Sequence, residues 1–144
     1  DVSRGTHRLL PHTADLLVEV RAPDFPSLCA RSVEAVFSLL TDRRRVRRSE
    51  RRSLDFAAAP PDELLLSVLR GSLLLFSLDR FLVREADATM EEGGLALVVA
   101  GEPMEPGRHS VCREIKAVTA HALSVKGGPS GFVAYPVMNP PVVM

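Results

Sequence analysis

The chain has 144 residues, of which 46% are hydrophobic and 25% are charged, and its 18 basic residues balance its 18 acidic ones. This composition is typical of a soluble globular protein and excludes the disordered, collagen-like and disulfide-rich classes. Balanced charge gives no general attraction to nucleic acid or to anionic membranes, so any electrostatic partner must be bound locally. We expect one domain spanning residues 1–144 with a single core.

Targeting and redox signals favour a cytoplasmic protein. Asp1–Leu10 lacks the basic and apolar regions of a secretory signal. The two cysteines, Cys29 and Cys112, have neither CxxC spacing nor a disulfide-rich pattern, which fits a reducing compartment. The most apolar run, Leu64–Leu78, is shorter than a membrane span. We therefore expect no membrane partner.

The first half of the chain alternates strands with helices. Branched residues predict a strand over Leu16–Ala22. Apolar residues at three-and-four spacing predict a helix with one buried stripe over Ser27–Leu40, capped by its first residue. A short apolar run predicts a strand over Leu54–Ala58. Pro61 opens a second helix to about Ser77, which is apolar on nearly all sides and is therefore expected to be buried.

The second half is predicted to consist of strands. Phe81–Met90 and Leu95–Gly101 alternate on either side of a Glu-Gly-Gly turn, which predicts a hairpin. Val111–Val125 also alternates, and an apolar run starting at Phe132 follows a Gly-Gly-Pro turn, which predicts another hairpin. Pro136 places the last strand at an edge or interrupts it. The predicted class is α+β, with two helices packed on one face of a mainly antiparallel sheet.

The tetrapeptide His12-Thr13-Ala14-Asp15 is the first candidate functional segment, because it stands just before a predicted strand. The Asp15 carboxylate could ligate calcium or magnesium, with Asp42 and Asn139 as further oxygen donors. Alternatively, Thr13 and Asp15 cap a turn and His12 satisfies a backbone carbonyl. Residue spacing alone favours the turn.

The second candidate is the segment Arg113–His121, in which Glu114 and Lys116 share one strand face. Lys116 could bind a phosphate or a partner carboxylate, whereas the simpler interpretation is a solvated face with a weak ion pair. His121 is a candidate general base only if another group orients it, and the sequence reveals no such group. Pattern alone favours the structural interpretation.

The third candidate is an arginine-rich segment between the first helix and the second predicted strand. It could attract RNA phosphates, although no aromatic residue is interleaved to stack on bases, and a solvated, mobile connector explains it equally well. The segment contains Arg43, Arg44, Arg45, Arg47, Arg48, Arg51 and Arg52. The chain contains no Walker-type loop, GxSxG elbow, HExxH helix or zinc-type spacing, which lowers the expectation of an enzyme.

These same segments resemble the archease family. The family shares the motif found here as His12-Thr13-Ala14-Asp15 and a later strand found here as Glu114-Ile115-Lys116-Ala117-Val118-Thr119. The resemblance continues through Thr41-Asp42 and from Gly101-Glu102-Pro103 to Arg108-His109, so it covers nearly the whole chain in order. Two departures are Pro11, where an acidic residue is common, and Ala120, where an aromatic one is common.

The resemblance implies an α+β accessory protein, not an enzyme. Archeases promote guanylylation, with GTP, and repeated turnover of an RtcB-type RNA ligase in tRNA splicing and RNA repair. The resemblance therefore implies an RtcB-type RNA ligase as partner, with RNA or tRNA contacted indirectly. It implies that His12, Asp42 and Lys116 contact or activate the ligase.

The resemblance also implies a divalent cation, often described as calcium. Family members bind it through the aspartate of the N-terminal motif, a C-terminal aspartate and the residue after that. These positions are Asp15, Asn139 and Pro140 here, so a neutral amide replaces one carboxylate and should weaken cation binding. Two alternatives remain: an RNA-binding module that uses Arg43–Arg52, and a metal-dependent hydrolase that uses His12, Asp15 and His121.

Overall fold

The computed structural model describes the chain from Gly5 to Asn139 with several gaps, and the ranges are 5–10, 16–112, 115, 117–119, 125–128, 131–134 and 137–139. Within these ranges there are two α-helices, α1 (Phe25–Leu40) and α2 (Pro61–Asp79), and a 3-10 turn at Arg43–Arg45. The strands are β1 (Thr6–Leu10), β2 (Leu16–Ala22), β3 (Glu50–Ala57), β4 (Phe81–Glu91), β5 (Gly94–Pro103), β6 (Ala117–Thr119), β7 (Val125–Gly128), β8 (Gly131–Ala134) and β9 (Val137–Asn139).

The strands form two sheets, and every pairing between named strands is antiparallel. In the larger sheet, β2 pairs with β1 along one edge and with β9 and then β8 along the other. β6 extends the sheet beyond β9, and β7 extends it beyond β8. The smaller sheet has the order β3-β5-β4. The predicted α+β class is confirmed, although the strands divide between two sheets.

The predicted hairpin of β4 and β5 is confirmed, and its turn explains the two glycines. Glu91 pairs with Gly94, so Glu92 and Gly93 form a two-residue turn. Gly94 has a φ of 148°, and a Cβ there would lie 1.9 Å from the Phe56 carbonyl oxygen. Only glycine therefore allows β5 to start so close to β3.

One other strand prediction needs correction, and one strand was missed. The predicted strand Leu54–Ala58 begins earlier, at Glu50, so that Arg51 and Arg52 lie within β3. β1 was not predicted. Pro136, which was predicted to place the last strand at an edge or to interrupt it, lies outside the described residues; β8 ends at Ala134, β9 begins at Val137, and both pair with β2.

The burial of the two helices is the reverse of the prediction. Helix α1 is buried continuously from Leu28 to Phe37, including Arg31 and Glu34, because it packs against β2 of one sheet and β4 of the other. Helix α2 packs against β3, β4 and β6 but leaves Leu74 52% exposed and Leu78 75% exposed. Neither helix is apolar and long enough to cross a membrane, in the part of the chain that the structure describes.

The N-cap of α1 is also different from the predicted one. The helix begins at Phe25, and the Ser27 amide donates a hydrogen bond to Asp24 Oδ1 at 2.8 Å. Asp24 therefore satisfies one of the free amides of the first turn, and Ser27 is the donor and not the cap.

Replacing the cap tests this assignment. Asp24→Ala should lower the free energy of unfolding by about 1 kcal/mol, because the first-turn amide loses its acceptor. Ser27→Ala is the matched control, since the amide of Ser27 is retained, and it should leave stability nearly unchanged. Urea unfolding followed by circular dichroism measures both variants; an equal loss in the two would contradict the assignment.

Candidate functional site

The C-terminal end of α1 is fixed to the segment that leads into the Glu114–Thr119 motif. The Thr41 hydroxyl donates to the Ser110 carbonyl at 2.7 Å, and the Cys112 amide donates to the Leu40 carbonyl at 2.8 Å. Thr41 also forms an isolated bridge with Val111. These contacts place Asp42 beside residues 110–112, which immediately precede the motif in the sequence.

The Asp42 carboxylate is engaged by arginines. Its Oδ1 accepts hydrogen bonds from the Arg44 backbone amide at 3.2 Å and from Arg44 Nε at 3.0 Å, and Arg45 Nε lies 3.9 Å from its Oδ2. The Arg44 side-chain hydrogen bond is the main reason that the pKa of Asp42 is below its ordinary value. Asp42 is thus an ionised carboxylate that caps the 3-10 turn.

Most of the predicted RNA-contacting arginines form ion pairs within the fold. Arg48 Nε lies 3.0 Å from Glu85 Oε2, and Arg43 Nη1 lies 3.4 Å from Glu34 Oε1. Further along, the Arg52 guanidinium pairs with Asp79 at 3.3 Å and stacks over a phenylalanine ring. The segment forms a 3-10 turn, an irregular stretch over residues 46–49 and the start of β3, and most of its arginines are exposed. Internal pairing reduces the charge available to RNA.

An open cleft of about 530 Å³ lies at this end of α1. Its walls come from the end of α1, the 3-10 turn, β4 and residue 112. The charged and nucleophilic groups that line it are Glu34, Asp42, Arg43, Arg44, Arg48, Arg84, Glu85 and Cys112.

A second location collects the strand ends that carry the other predicted site residues. Leu16 pairs with Met138, and Ala117 pairs with Asn139. The start of β2, the end of β9 and the start of β6 therefore lie side by side. His12, Asp15, Lys116, His121 and Pro140 lie outside the described residues, and so does the side chain of Asn139. Their predicted roles remain predictions.

The described residues contain no group of three or more His, Cys, Asp or Glu side chains placed to hold a metal ion. Asp42, which the sequence offered as a further oxygen donor, is engaged with Arg44 and Arg45. Asp15 and Pro140 lie outside this part of the chain, and so does the side chain of Asn139, so the calcium prediction is not tested.

A buried charged network supports the loop between β5 and the motif. Both Glu102 carboxylate oxygens accept from Arg108, at 2.6 and 2.8 Å, and Oε2 also accepts from the Arg47 amide at 2.6 Å. His109 Nδ1 accepts from the Glu105 amide at 2.9 Å. Because Nδ1 is an acceptor, the neutral imidazole carries its proton on Nε2, which lies 3.0 Å from Glu102 Oε2.

Sequence reasoning singled out neither this network nor Glu34 and Arg84 as a site. Glu102 and His109 entered only through the family resemblance. For Glu34, the available signal was a carboxylate inside an otherwise apolar helix pattern, where burial requires a partner.

Comparisons with known proteins agree with this architecture. The family model of the archease protein family matches residues 7–138. A protein archease of Methanopyrus kandleri is 31% identical over 134 residues, covering 90% of this chain and 96% of the relative. One from Pyrococcus abyssi is 23% identical over 124 residues, covering 83% and 87%.

Solved structures show the same fold. Protein 1598 of Methanobacterium thermoautotrophicum superposes with a TM-score of 0.77 at 21% identity, covering 92% of this chain and 97% of that one. A Thermotoga maritima protein described as an archease and possible chaperone superposes with a TM-score of 0.65 at 15% identity, covering 92% and 95%. The α+β class is therefore confirmed, and the chain belongs to the archease family.

The network around Glu102 predicts a stability loss in acid. Its hydrogen bonds, chiefly that from Arg108, lower the pKa of the Glu102 carboxyl from 4.5 to about 2. A carboxyl whose pKa is depressed by folding stabilises the fold above its unfolded pKa, so this contribution should disappear as pH falls from about 4.5 toward 2.

Glu102→Gln should lower the free energy of unfolding by about 2–3 kcal/mol at neutral pH, because buried hydrogen bonds to a charged acceptor are lost. It should also flatten the pH dependence of stability in the acid range. Glu92→Gln, in the exposed hairpin turn, is the control. Urea titrations at several pH values measure both; an unchanged acid slope in Glu102→Gln would contradict the role of the network.

Proposed function

We propose that this protein is a non-enzymatic activator of an RtcB-type, GTP-dependent RNA ligase, acting in tRNA splicing and RNA repair. The observation that carries the proposal is its membership of the archease family over residues 7–138. On this proposal the ligase performs the phosphoryl chemistry, and the archease promotes its guanylylation and repeated turnover. RNA is contacted only through the ligase.

Two features of the described residues support a contact surface at the motif strand. Among the strands that the structure describes, the strand that follows Lys116 lies at the outer side of the larger sheet, where β6 pairs with β9 alone. The loop that leads to it is held by Thr41 on one side and by the Glu102 network on the other. Anchoring of residues 108–112 just before an outer strand suits a surface that must present particular side chains to another protein.

The proposed cation site belongs to the neighbouring strand ends. Asp15 precedes Leu16, whose partner Met138 precedes Asn139, so the backbone register favours a site shared by β2 and β9. The proposed donors are the Asp15 carboxylate, the Asn139 amide oxygen and the Pro140 carbonyl. Oxygen donors of this kind suit calcium, although a single carboxylate makes the site weak.

The ligase proposal is tested by measuring guanylylation of an RtcB-type ligase with GTP, with and without the intact chain. We expect faster guanylylation and repeated RNA joining with the chain present. Lys116→Ala should abolish the acceleration through lost ligase contact, whereas Arg51→Ala, an exposed position on β3, should retain it. No acceleration by the intact, folded chain would refute the proposal.

The cation proposal is tested by restoring the missing carboxylate. Asn139→Asp should tighten calcium binding by roughly ten-fold or more, since a charged ligand replaces a neutral one, and Asp15→Ala should abolish it. Ser67→Asp adds the same charge on the exposed side of α2 and controls for net charge. Calorimetric titration with calcium alone measures affinity; equal affinities in Asn139→Asp and Ser67→Asp would exclude Asn139 as a ligand.

A further inference from the structure

The cleft at the end of α1 carries more positive charge than its carboxylates neutralise. Arg44 pairs with Asp42, and Arg48 pairs with Glu85. The remaining carboxylate in the cleft, Glu34, is shared: Arg31 Nε lies 3.0 Å from its Oε1, and Arg43 Nη1 lies 3.4 Å from the same oxygen. Arg31 does not line the cleft and also lies 4.0 Å from Asp87 Oδ1, so the cleft itself is lined by four guanidinium groups and three carboxylates.

Arg84 adds another guanidinium to this cluster. Its Nη1 donates to the Arg43 carbonyl at 2.8 Å, and among the described residues no carboxylate pairs with it. Arg43 is crowded in turn: burial, opposed by Glu34 and reinforced by Arg84 and Arg31, lowers the pKa of Arg43 below its ordinary value. The fold holds these positive charges close together. An anion bound among them would therefore be attracted by all of them and would relieve their mutual repulsion.

Arg43 is held in the fold on one side and open on the other. Its Nε and Nη1 are shielded from solvent, with Nη1 3.4 Å from Glu34 Oε1, while the side chain as a whole is 26% exposed. Arg43 and Arg84 both line the open cleft.

We propose that this cleft binds a phosphate monoester, held chiefly by Arg43 and Arg84 with Arg48 at its rim. Guanidinium groups bind phosphate oxygens through paired, charge-assisted hydrogen bonds. A monoester presents three terminal oxygens, so that Arg43, Arg84 and Arg48 can each donate to a different one, whereas a diester presents only two. The proposal concerns the isolated chain and does not depend on ligase activation.

The chain contains its own reporter for this site. Cys112 is an exposed free thiol that lines the cleft, whereas Cys29 is fully buried and its burial raises the pKa of the thiol to about 12. Since these are the two cysteines of the chain, alkylation by neutral iodoacetamide should report on Cys112. Inorganic phosphate, added at constant ionic strength, should slow this alkylation with a saturable dependence on concentration.

Arg84→Gln should weaken phosphate binding on the order of ten-fold, as expected for loss of a charge-assisted hydrogen bond. Arg48→Gln, whose side chain is 55% exposed, should weaken it less, and Arg51→Gln, outside the cleft, should not weaken it. Thermal unfolding of each variant checks folding. Calorimetry on Cys112→Ser should still detect phosphate binding, which shows that the thiol only reports it.

Three further ligands identify the source of the phosphate: a nucleoside monophosphate, a short oligoribonucleotide with a terminal phosphate, and the same oligoribonucleotide without one. Protection by either of the first two supports the proposal and names a free nucleotide or an RNA end as the source. The proposal is overturned if phosphate gives no saturable protection, if Arg84→Gln and Arg51→Gln bind phosphate equally, or if removing the terminal phosphate leaves oligonucleotide binding unchanged.

Discussion

The fold depends on one buried interaction between α1 and β4. Arg31 donates through Nη2 to the Ala86 carbonyl, and the Ala86 amide donates to Glu34 Oε2 at 2.9 Å. The two side chains thus hydrogen-bond both the amide and the carbonyl of Ala86, as a neighbouring strand would. Their mutual ion pair lets a helix with two charges lie between the two sheets. Helix α1 can therefore cover the edge of β4 that β5 does not use.

The same region organises the cleft. The pairing of β4 with β5 shifts register between Val83 and Glu85, so Arg84 is the extra residue of a bulge. A bulge redirects the side chain that it carries, and here Arg84 reaches the carbonyl of Arg43 in the 3-10 turn. The position of the arginine cluster therefore depends on the contact between α1 and β4. Glu34 takes part in that contact and also lines the cleft, where its carboxylate offsets part of the positive charge.

Elements with strong local signals were predictable from the sequence. Both helices, β2 and the β4–β5 hairpin follow from periodicity, Pro61 and the Gly-Gly turn, and the structure confirms them. Burial of the helices was not predictable in this way. Periodicity cannot show that Arg31 and Glu34 neutralise each other inside the core, or that Leu74 and Leu78 face solvent, because both depend on which elements pack together.

The candidate site was predictable only in parts. The resemblance identified Asp42 and the segment around Glu102, which the structure places in defined contacts. It could not predict that Arg44 and Arg48 pair with nearby carboxylates, or that Arg84 joins them through a bulge. The Arg44–Asp42 pair is local in sequence, whereas the Arg48–Glu85 pair and the Arg84 contact depend on long-range contacts that composition does not encode.

The pairing of β2 with three other strands limits where members of this family can vary in length. One edge of β2 pairs first with β9 and then with β8, while its other edge pairs with β1. A single inserted residue would reverse the faces of the side chains beyond it and would misalign three partners together. Insertions and deletions among relatives should therefore be absent from Leu16–Ala22 and should accumulate in exposed turns that contact fewer strands.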